Sequence, residues 1–265
     1  MIVIPACEAV AFNLFTIPVY WYGICMACAI FMAIIVANSL LNRQYSSFAK
    51  DVIIAESPLI ILAGILGARL YFCLLNFSYY SLHPLEILDI REGGLSVHGG
   101  LIFGMIALLW VARKYKISFF KLLDAMGVAT IFGQSVGRWG NYFNSEAYGL
   151  PVSGQNWGLF IPQERRIAEF ANYSLFHPTF LYESILDFLS FFVLLFIYLK
   201  LGKRYSGLVF FTYLILYSVI RFFVEQIRVD SALNIGVTPI AEIVSVVLFG
   251  IGCIGLCYVL LKNRK

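Results

Sequence analysis

Three short groups of polar residues interrupt otherwise apolar parts of the chain, and their residue types could do chemistry on an anion. The first group is 137–149, GRWGNYFNSEAYG, which follows the apolar run 127–136 and contains an arginine, two asparagines and a glutamate. An arginine side chain offers a planar fork of donors that binds phosphate through two parallel hydrogen bonds. This composition indicates a site for an anionic ligand at the end of an apolar helix.

The second group is 94–100, GLSVHGG, in which His98 stands beside Gly99 and Gly100. Adjacent glycines allow another backbone or a lipid headgroup to approach closely. A histidine at this place could act as a general base or donate a hydrogen bond to an anion. It could equally cap a helix end or pair with a neighbour, so the structural and functional interpretations both stay open.

The third group comprises Tyr217, Arg221, Glu225 and Arg228, whose spacings of 4, 4 and 3 place them on one stripe of a helix. Ionisable groups inside a membrane span are costly, and they usually face the interior of the helix bundle or a water-filled cavity. Arg221 and Glu225 could also do no more than neutralise each other.

Further polar positions fall in apolar stretches, and two of them, Arg69 and Tyr22, also have ordinary explanations. Arg69 follows Gly64 and Gly67, a spacing that can serve close helix contact. Tyr22 ends the run Tyr-Trp-Tyr, which is typical of the aromatic belt at a membrane interface. Tyr182 and Glu183 open a later apolar stretch, with Asp187 one helical turn on.

The composition of the chain indicates which elements position these groups. Hydrophobic residues make up 61%, charged residues only 13%, and the mean hydropathy is +0.85, whereas soluble domains carry about 25% charged residues. A bilayer core of about 30 Å needs about 20 apolar helical residues. Windows of this kind occur at 18–41, 52–75, 95–112, 117–136, 179–200, 207–226 and 238–261. The alternating segments typical of membrane barrels are absent, so the predicted fold class is an all-α polytopic membrane protein with seven transmembrane helices.

The basic residues predict the orientation of these helices. Twelve of the nineteen lysines and arginines, including every lysine, fall after the first, third, fifth and seventh windows or at the edge of the fourth. Cytoplasmic loops carry the excess of basic residues, so the N-terminus is predicted outside and the C-terminus in the cytoplasm. We expect a single integral membrane domain, 1–265, with a small extracytoplasmic cap at 137–178 between the fourth and fifth spans. A short amphipathic helix is expected around 163–173.

This topology sorts most of the polar residues to one leaflet. The outer half of the membrane, or the region just above it, would contain His98, Arg138, Glu146, His177, Glu183, Arg221 and Glu225. A random scatter of satisfied polar groups would not sort in this way. The sequence therefore predicts one arginine-lined cavity that opens to the outer leaflet and takes an anionic amphiphile such as a phospholipid.

The residues of these groups also resemble a known family. GRWGNYFNSEAYG resembles the signature of prolipoprotein diacylglyceryl transferases, Gly-Arg-x-Gly-Asn-Phe-x-Asn-x-Glu-x-x-Gly, except that Tyr142 stands where phenylalanine is usual. Further similar motifs, in the family's order and over nearly the whole chain, are 21–23 (WYG), 67–70 (GARL), 96–100 (SVHGG), 177–183 (HPTFLYE) and 217–228. Two other departures are Phe180, where the family often has glutamine, and Val229-Asp230, where a proline commonly precedes the aspartate.

The resemblance implies a function that composition does not supply. Members of this family transfer the diacylglyceryl group of phosphatidylglycerol to the cysteine thiol of a lipobox and release glycerol 1-phosphate, the first step of bacterial lipoprotein maturation. The expected location is the bacterial inner membrane, with the active site toward the outer leaflet. The implied partners are phosphatidylglycerol, prolipoprotein lipobox signal peptides and membrane lipids. A nucleic-acid partner is not expected.

The chemistry of the reaction that the resemblance implies suggests roles for individual residues. Arg138 and Arg221 would stabilise the charge that develops on the departing phosphate, with Glu225 orienting Arg221, and His98 would take the proton of the thiol or instead bind phosphate or sugar hydroxyls. The residues expected to bind substrate are Tyr22, Arg69, Gly99, Gly100, Asn141, Asn144, Glu146, Tyr182 and Tyr217. Glycines 137, 140 and 149 would let a loop bend tightly. No metal or organic cofactor is needed, since a phosphate ester already contains a leaving group.

Two other classes of protein are alternatives to a transferase. A transporter or flippase of an anionic lipid would also fit an arginine-lined cavity. It would need a path to the inner face, where the spans are apolar apart from Asp124 and Asp187. An intramembrane protease is not indicated, because the chain has neither a Gly-x-Ser-x-Gly nor a His-Glu-x-x-His motif.

Overall fold

The computed structural model describes residues 2–45, 50–90, 93–152, 157–229, 234–235 and 238–263. The described residues are mostly helical. The α-helices are α1 (Trp21–Gln44), α2 (Val52–Leu75), α3 (Phe77–Tyr80), α4 (Val97–Lys114), α5 (Phe119–Asn144), α6 (Thr179–Leu201), α7 (Leu208–Glu225) and α8 (Ile240–Lys262). The chain forms two compact units, one of residues 1–37 and 123–265 and the other of residues 38–122, and each is described by itself.

Six helices in the described part of the chain are long and apolar enough to cross a bilayer, namely α1, α2, α4, α6, α7 and α8. The two shortest, α4 and α7, have 18 residues each, or about 27 Å at 1.5 Å per residue. Large apolar side chains on these helices are widely exposed, among them Leu74 (68%), Phe223 (67%) and Ile254 (73%). Soluble proteins rarely expose so much contiguous apolar surface to water, so the chain is a multi-pass membrane protein.

The window predicted as a fourth span, 117–136, lies in α5. This helix is 26 residues long, so its length suffices for a crossing. It is not among the six because it carries Lys121, Asp124, Gln134 and Arg138, which lower its hydropathy. The count of seven spans therefore stays a prediction.

In the unit of residues 38–122, glycines allow α2 and α4 to pack backbone to backbone. A Cβ added to Gly67 would lie 2.7 Å from the carbonyl oxygen of Gly99, and one added to Gly99 would collide with the carbonyl of Gly67. Membrane helices use small residues at such crossings because lipid gives no hydrophobic drive for association. Gly99 thus has a packing role, whatever else it contacts.

In the other unit, Asp124 fixes the start of α7. One carboxylate oxygen of Asp124 accepts a hydrogen bond from the backbone N–H of Gly207 at 2.7 Å, and the other accepts from that of Phe210 at 2.8 Å. The first N–H groups of a helix have no intrahelical partner. A fully buried aspartate is therefore used here as a cap supplied by a neighbouring helix.

The same unit contains short strands that the sequence analysis did not predict. Strand β1 (Ile2–Ile4) pairs in parallel with β4 (Trp157–Phe160), which pairs antiparallel with β5 (Leu175–Phe176). Two antiparallel pairs complete the set, β2 (Val10–Leu14) with β3 (Ile17–Tyr20) and β6 (Asn234–Ile235) with β7 (Thr238–Pro239). Strands of two to five residues are too short to show a periodic pattern in the sequence.

The prediction of an amphipathic helix around 163–173 is wrong. The segment instead forms two short 3-10 helices, Gln163–Arg165 and Ala168–Phe170. The hydroxyl of Tyr148 donates to the carbonyl of Arg165 and accepts from the N–H of Ile167. Because side chains take up these backbone groups, a continuous helix is not needed to satisfy them.

Candidate active site

The signature motif begins as helix, and this corrects one expectation. Residues 137–144 form the last two turns of α5, and the chain then turns through Ser145 and Ala147, whose φ angles are 52° and 55°. Gly137 and Gly140 are therefore helical and do not bend a loop. A Cβ on Gly140 would lie 2.9 Å from the ring of Tyr22, so this glycine lets Tyr22 pack directly against the motif.

A bridging carboxylate joins the two arginines that the sequence analysis placed in the mechanism. Nη2 of Arg138, on α5, lies 2.8 Å from Oε1 of Glu183, on α6. Nη1 of Arg221, on α7, lies 3.4 Å from the same oxygen, and its Nη2 lies 2.5 Å from Oε2 of Glu225. Two guanidinium groups from different helices thus converge on one point. We call Arg138, Glu183, Arg221 and Glu225 the arginine–carboxylate cluster.

The cluster is largely withdrawn from solvent. The side chains of Arg138 and Arg221 are 19% and 12% exposed, and those of both glutamates are 2% exposed. Charges buried to this degree are tolerated only when paired, because the desolvation penalty is large. Each guanidinium carries five N–H donors, so pairing with carboxylates leaves donors on both arginines for a phosphate.

Tyr217 and Asp187 extend the polar surface around the cluster. Tyr217, one turn before Arg221 on α7, stacks on Tyr213 with ring centroids 6.0 Å apart. Asp187, one turn after Glu183 on α6, is 1% exposed and interacts electrostatically with Glu183 and both arginines. Neither of its carboxyl oxygens has a hydrogen-bond partner among the described residues.

Asn141 and Glu146 hold the turn that follows α5. The amide of Asn141 donates to the carboxylate of Glu146 at 2.9 Å, and the backbone N–H of Glu146 donates to the carbonyl of Asn141 at 3.1 Å. Tyr22 interacts electrostatically with both Glu146 and Arg138. Asn144 is partly buried at the end of the helix. The structure therefore brings Tyr22, Asn141 and Glu146 together near Arg138.

Tyr182 is held by His177, which lies just before the start of α6. Its hydroxyl lies 3.1 Å from Nδ1 of His177, and Trp157 packs edge-on against the His177 ring with centroids 5.8 Å apart. Tyr182 directly precedes Glu183 in the sequence, so this contact orients the first turn of the helix that carries the bridging carboxylate.

Two of the residues at which the motifs depart from the family pattern contact each other. The rings of Tyr142 and Phe180 stack with centroids 5.1 Å apart. Phe180 is buried in an apolar cluster with Tyr148, Leu159 and Phe176. The two departures therefore form one packing unit. At the third departure, Val229 packs against the same cluster and Asp230 lies outside the described residues.

The remaining predicted site residues belong to the other compact unit. His98 is exposed at the start of α4, with its ring 6.3 Å from that of Tyr71. Gly99 is buried and Gly100 is partly buried. That these residues share a site with the arginine–carboxylate cluster stays a prediction.

Arg69 is only 6% exposed and binds backbone carbonyls. Its guanidinium donates to the carbonyls of Glu86, Ile87, Gly93 and Gly94 at 2.5 to 3.1 Å. It also lines a cavity of about 500 Å³ together with Tyr79, Tyr80, Glu86 and Asp89. The contacts make Arg69 an anchor for this segment, and a role in substrate binding stays a prediction.

Sequence reasoning gave Glu183 no role, although it placed the residue in the outer leaflet and in a family-like motif. The available signal was an acidic residue inside an apolar helix, since such a residue is costly unless a cation pairs with it. Which cations pair with it could not be told from spacing, because the partners lie on two other helices.

Comparison with known proteins agrees with the motifs. Residues 9–258 match the family described as "Prolipoprotein diacylglyceryl transferase". A protein of Fervidobacterium nodosum named "Phosphatidylglycerol--prolipoprotein diacylglyceryl transferase" is 41% identical over 250 residues, covering 92% of this chain and 82% of that protein. Proteins of the same name from Acaryochloris marina and Bacillus mycoides are 38% and 36% identical, covering 96% and 98% of this chain and 91% and 94% of their own lengths. The chain therefore belongs to the prolipoprotein diacylglyceryl transferase family.

Proposed function

We propose that this chain transfers the diacylglyceryl group of phosphatidylglycerol to the lipobox cysteine of a prolipoprotein, and that the arginine–carboxylate cluster is where the phosphate leaves. The observation that carries the proposal is the convergence of Arg138 and Arg221 on one oxygen of Glu183. Two guanidinium forks aimed at one point match the oxygens of a phosphate. The names of the relatives supply the two substrates.

The reaction makes one bond and breaks another. The sulfur of the thiolate attacks the glyceryl carbon next to the phosphate, and the C–O bond breaks with its electron pair moving to the phosphate oxygen. The leaving group changes from a singly charged diester to a monoester, which carries about −1.5 to −2 by analogy with phosphorylated side chains. Arg138 and Arg221 would face the charge that develops, which is where fixed cations accelerate a reaction most.

Glu183 and Glu225 would act as positioning residues. The two carboxylates and the two guanidiniums sum to zero formal charge, so the cluster can stay buried without substrate. The forks are then already oriented when the phosphate arrives, and little reorganisation is needed during the reaction.

The proton of the thiol needs an acceptor, because a free cysteine has a pKa of about 8.5 and is mostly protonated at neutral pH. We propose His98 for this role, with binding of phosphate or of sugar hydroxyls as the alternative. We expect His98→Ala to lose most of the rate at neutral pH, because general-base catalysis typically contributes about 10²–10⁴-fold, and a pH–rate profile of both proteins would test the same point. A full rate at neutral pH in His98→Ala would remove it as the base.

We also propose the complete topology, with α5 as a fourth crossing, the N-terminus outside and the site toward the outer leaflet of a bacterial inner membrane. The last turns of α1, α4, α6 and α8 carry Arg43, Arg113, Lys114, Lys200 and Lys262. If α5 crosses, all these residues face the cytoplasm, as basic residues prefer. If α5 does not cross, they divide between the two sides. With α5 as a crossing, the chain would be a single membrane domain, with 137–178 as its extracytoplasmic cap.

The decisive experiment supplies the purified protein with phosphatidylglycerol and a lipobox peptide. We expect the peptide to gain the mass of a diacylglyceryl group and glycerol 1-phosphate to appear in equal amount. A peptide with serine in place of the cysteine is the control and should stay unmodified. Lipid movement between leaflets without any bond broken would contradict the proposal and support a flippase.

A further inference from the structure

An apolar groove runs along three helices of the unit that contains the arginine–carboxylate cluster. It has a volume of about 580 Å³ and is lined by α1, α5 and α6. Its walls include Trp21 and Cys28 from α1, Val136 and Trp139 from α5, and Leu181 and Phe188 from α6. These residues recur at helical spacing, so the groove runs parallel to the helices.

The lining of the groove is mostly apolar, and its polar groups are few: the indole N–H groups of Trp21 and Trp139, two thiols and two serine hydroxyls. The hydroxyls of Ser135 and Ser184 both donate to backbone carbonyls. Ser135 donates to Phe132 at 2.7 Å, and Ser184 donates to Ser135 at 2.8 Å. Since these hydroxyl protons are already used, the described part of the groove suits a hydrocarbon chain.

The groove borders the cluster along both α5 and α6. On α5 the groove residue Ser135 lies three residues before Arg138, and on α6 the groove residue Ser184 directly follows Glu183. Residues three apart on a helix are neighbours on one face, so the apolar surface of α5 adjoins Arg138. The groove also extends six residues before Arg138, to Phe132, a distance of about 9 Å along the helix. A phosphate at Arg138 would therefore leave hydrocarbon lying along the groove.

We propose that this groove holds one acyl chain of the phospholipid whose phosphate binds to Arg138 and Arg221. The inference rests on the proposed function and adds to it a binding site for the lipid tail. Moving an acyl chain from the bilayer into the groove contributes little binding free energy, because the bilayer is as apolar as the groove. The groove acts by orienting the glyceryl carbon toward the sulfur, and misplacement of a reacting atom by about 1 Å can cost 10²-fold in rate.

The test places a large side chain in the groove, at the last residue that α1 contributes to its lining, and compares two lipids. Cys28→Trp places a large side chain there, and Cys257→Trp is the matched control, because Cys257 is exposed on α8 and does not line the groove. Transfer to one lipobox peptide is measured with dipalmitoyl and with dioctanoyl phosphatidylglycerol in detergent. For Cys28→Trp we expect the ratio of kcat/KM for the long lipid over the short lipid to fall about tenfold or more, since the long chain can no longer lie in its place. For Cys257→Trp the ratio stays at the native value.

The possible outcomes separate this inference from the proposed function. An unchanged ratio in Cys28→Trp, or an equal change in both variants, overturns the groove proposal while transfer by the native protein still supports the function. The loss of kcat/KM in Cys28→Trp could instead depend on the length of the apolar part of the peptide and not on the length of the acyl chain. That result also overturns the groove proposal and assigns the groove to the signal peptide. No transfer by the native protein with either lipid contradicts the proposed function itself.

A second measurement does not depend on the activity of a variant. Phosphatidylglycerol with a photoreactive group at the end of one acyl chain is added to the native protein and irradiated. We expect labelled peptides from 132–143 and 181–189. Labelling spread evenly over the exposed faces of all the helices would overturn the proposal, because it would mean contact with bulk lipid only.

Discussion

Arg69 in one unit and the pair Arg138 and Arg221 in the other have similar surroundings but different partners. All three lie in helices of an apolar chain and are largely buried. Arg69 donates to four backbone carbonyls of one segment, whereas Arg138 and Arg221 bind the carboxylates of Glu183 and Glu225.

The difference in partner indicates a difference in role. A backbone carbonyl carries no net charge and is fixed by the chain, so an arginine that binds four of them is used to hold that chain in place. A carboxylate balances the charge of a guanidinium and leaves its other donors for a ligand. A buried arginine in a membrane protein is therefore not by itself a substrate contact, and its partners decide between the two roles.

The largest effect is expected from the paired arginines. Arg138→Ala and Arg221→Ala should each reduce transfer by about 10²-fold or more, equivalent to about 3 kcal/mol, because a fixed donor to the developing charge is lost. Lysine should not restore the rate, since it lacks the planar fork. The measurement is the rate of mass gain by a lipobox peptide, with the amount of protein in the membrane as control. Retained transfer in both alanine variants would remove the arginines from the mechanism.

A smaller but still large effect is expected from the bridging carboxylate. Glu183→Gln keeps the shape and removes the charge that holds both arginines, so kcat should fall by about 10- to 100-fold through misorientation. Asp187→Asn is the matched control, because it makes the same chemical change one turn along the same helix, at a residue with no ion pair to either arginine in the described structure. An equal loss in both variants would mean that general charge, and not the bridge, matters.

Arg69 should affect stability more than chemistry. Arg69→Met keeps an apolar stem but removes the donor to the four carbonyls that Arg69 binds, at a cost of about 1–3 kcal/mol. We expect a lower unfolding temperature and faster proteolysis near 76–94. Arg165→Met removes an exposed arginine and controls for the change in net charge. If Arg69→Met kept native stability and lost transfer, Arg69 would be a substrate contact after all.

The smallest effect is expected from a neutral polar group on the same helix as Arg138. Tyr142 donates to the carbonyl of Pro5 at 2.8 Å and accepts from the thiol of Cys7 at 3.1 Å. Tyr142→Phe restores the family's usual ring and removes these contacts, so stability should fall by about 0.5–1.5 kcal/mol with little change in transfer. A large loss of transfer would show that the N-terminal segment tied by Tyr142 takes part in the reaction.

The sequence by itself determined the features that depend on local periodicity. Apolar windows of bilayer length predicted the six membrane-compatible helices. The spacing of four residues between Arg221 and Glu225 made their ion pair one of two stated possibilities, and the pair is present. Such features can be read from a sequence because a helix brings residues i and i+4 together whatever the rest of the chain does.

Only the tertiary structure decided which distant groups meet. Glu183 lies 45 residues after Arg138 and 38 before Arg221, and its place between them depends on how α5, α6 and α7 pack. In the same way, β1 pairs with β4 from more than 150 residues away, and the donors of Arg69 reach carbonyls of a separate segment. These contacts cannot be predicted from the spacing of residues along the chain. The partners meet through the packing of different helices against one another, which the periodicity of a single helix does not determine.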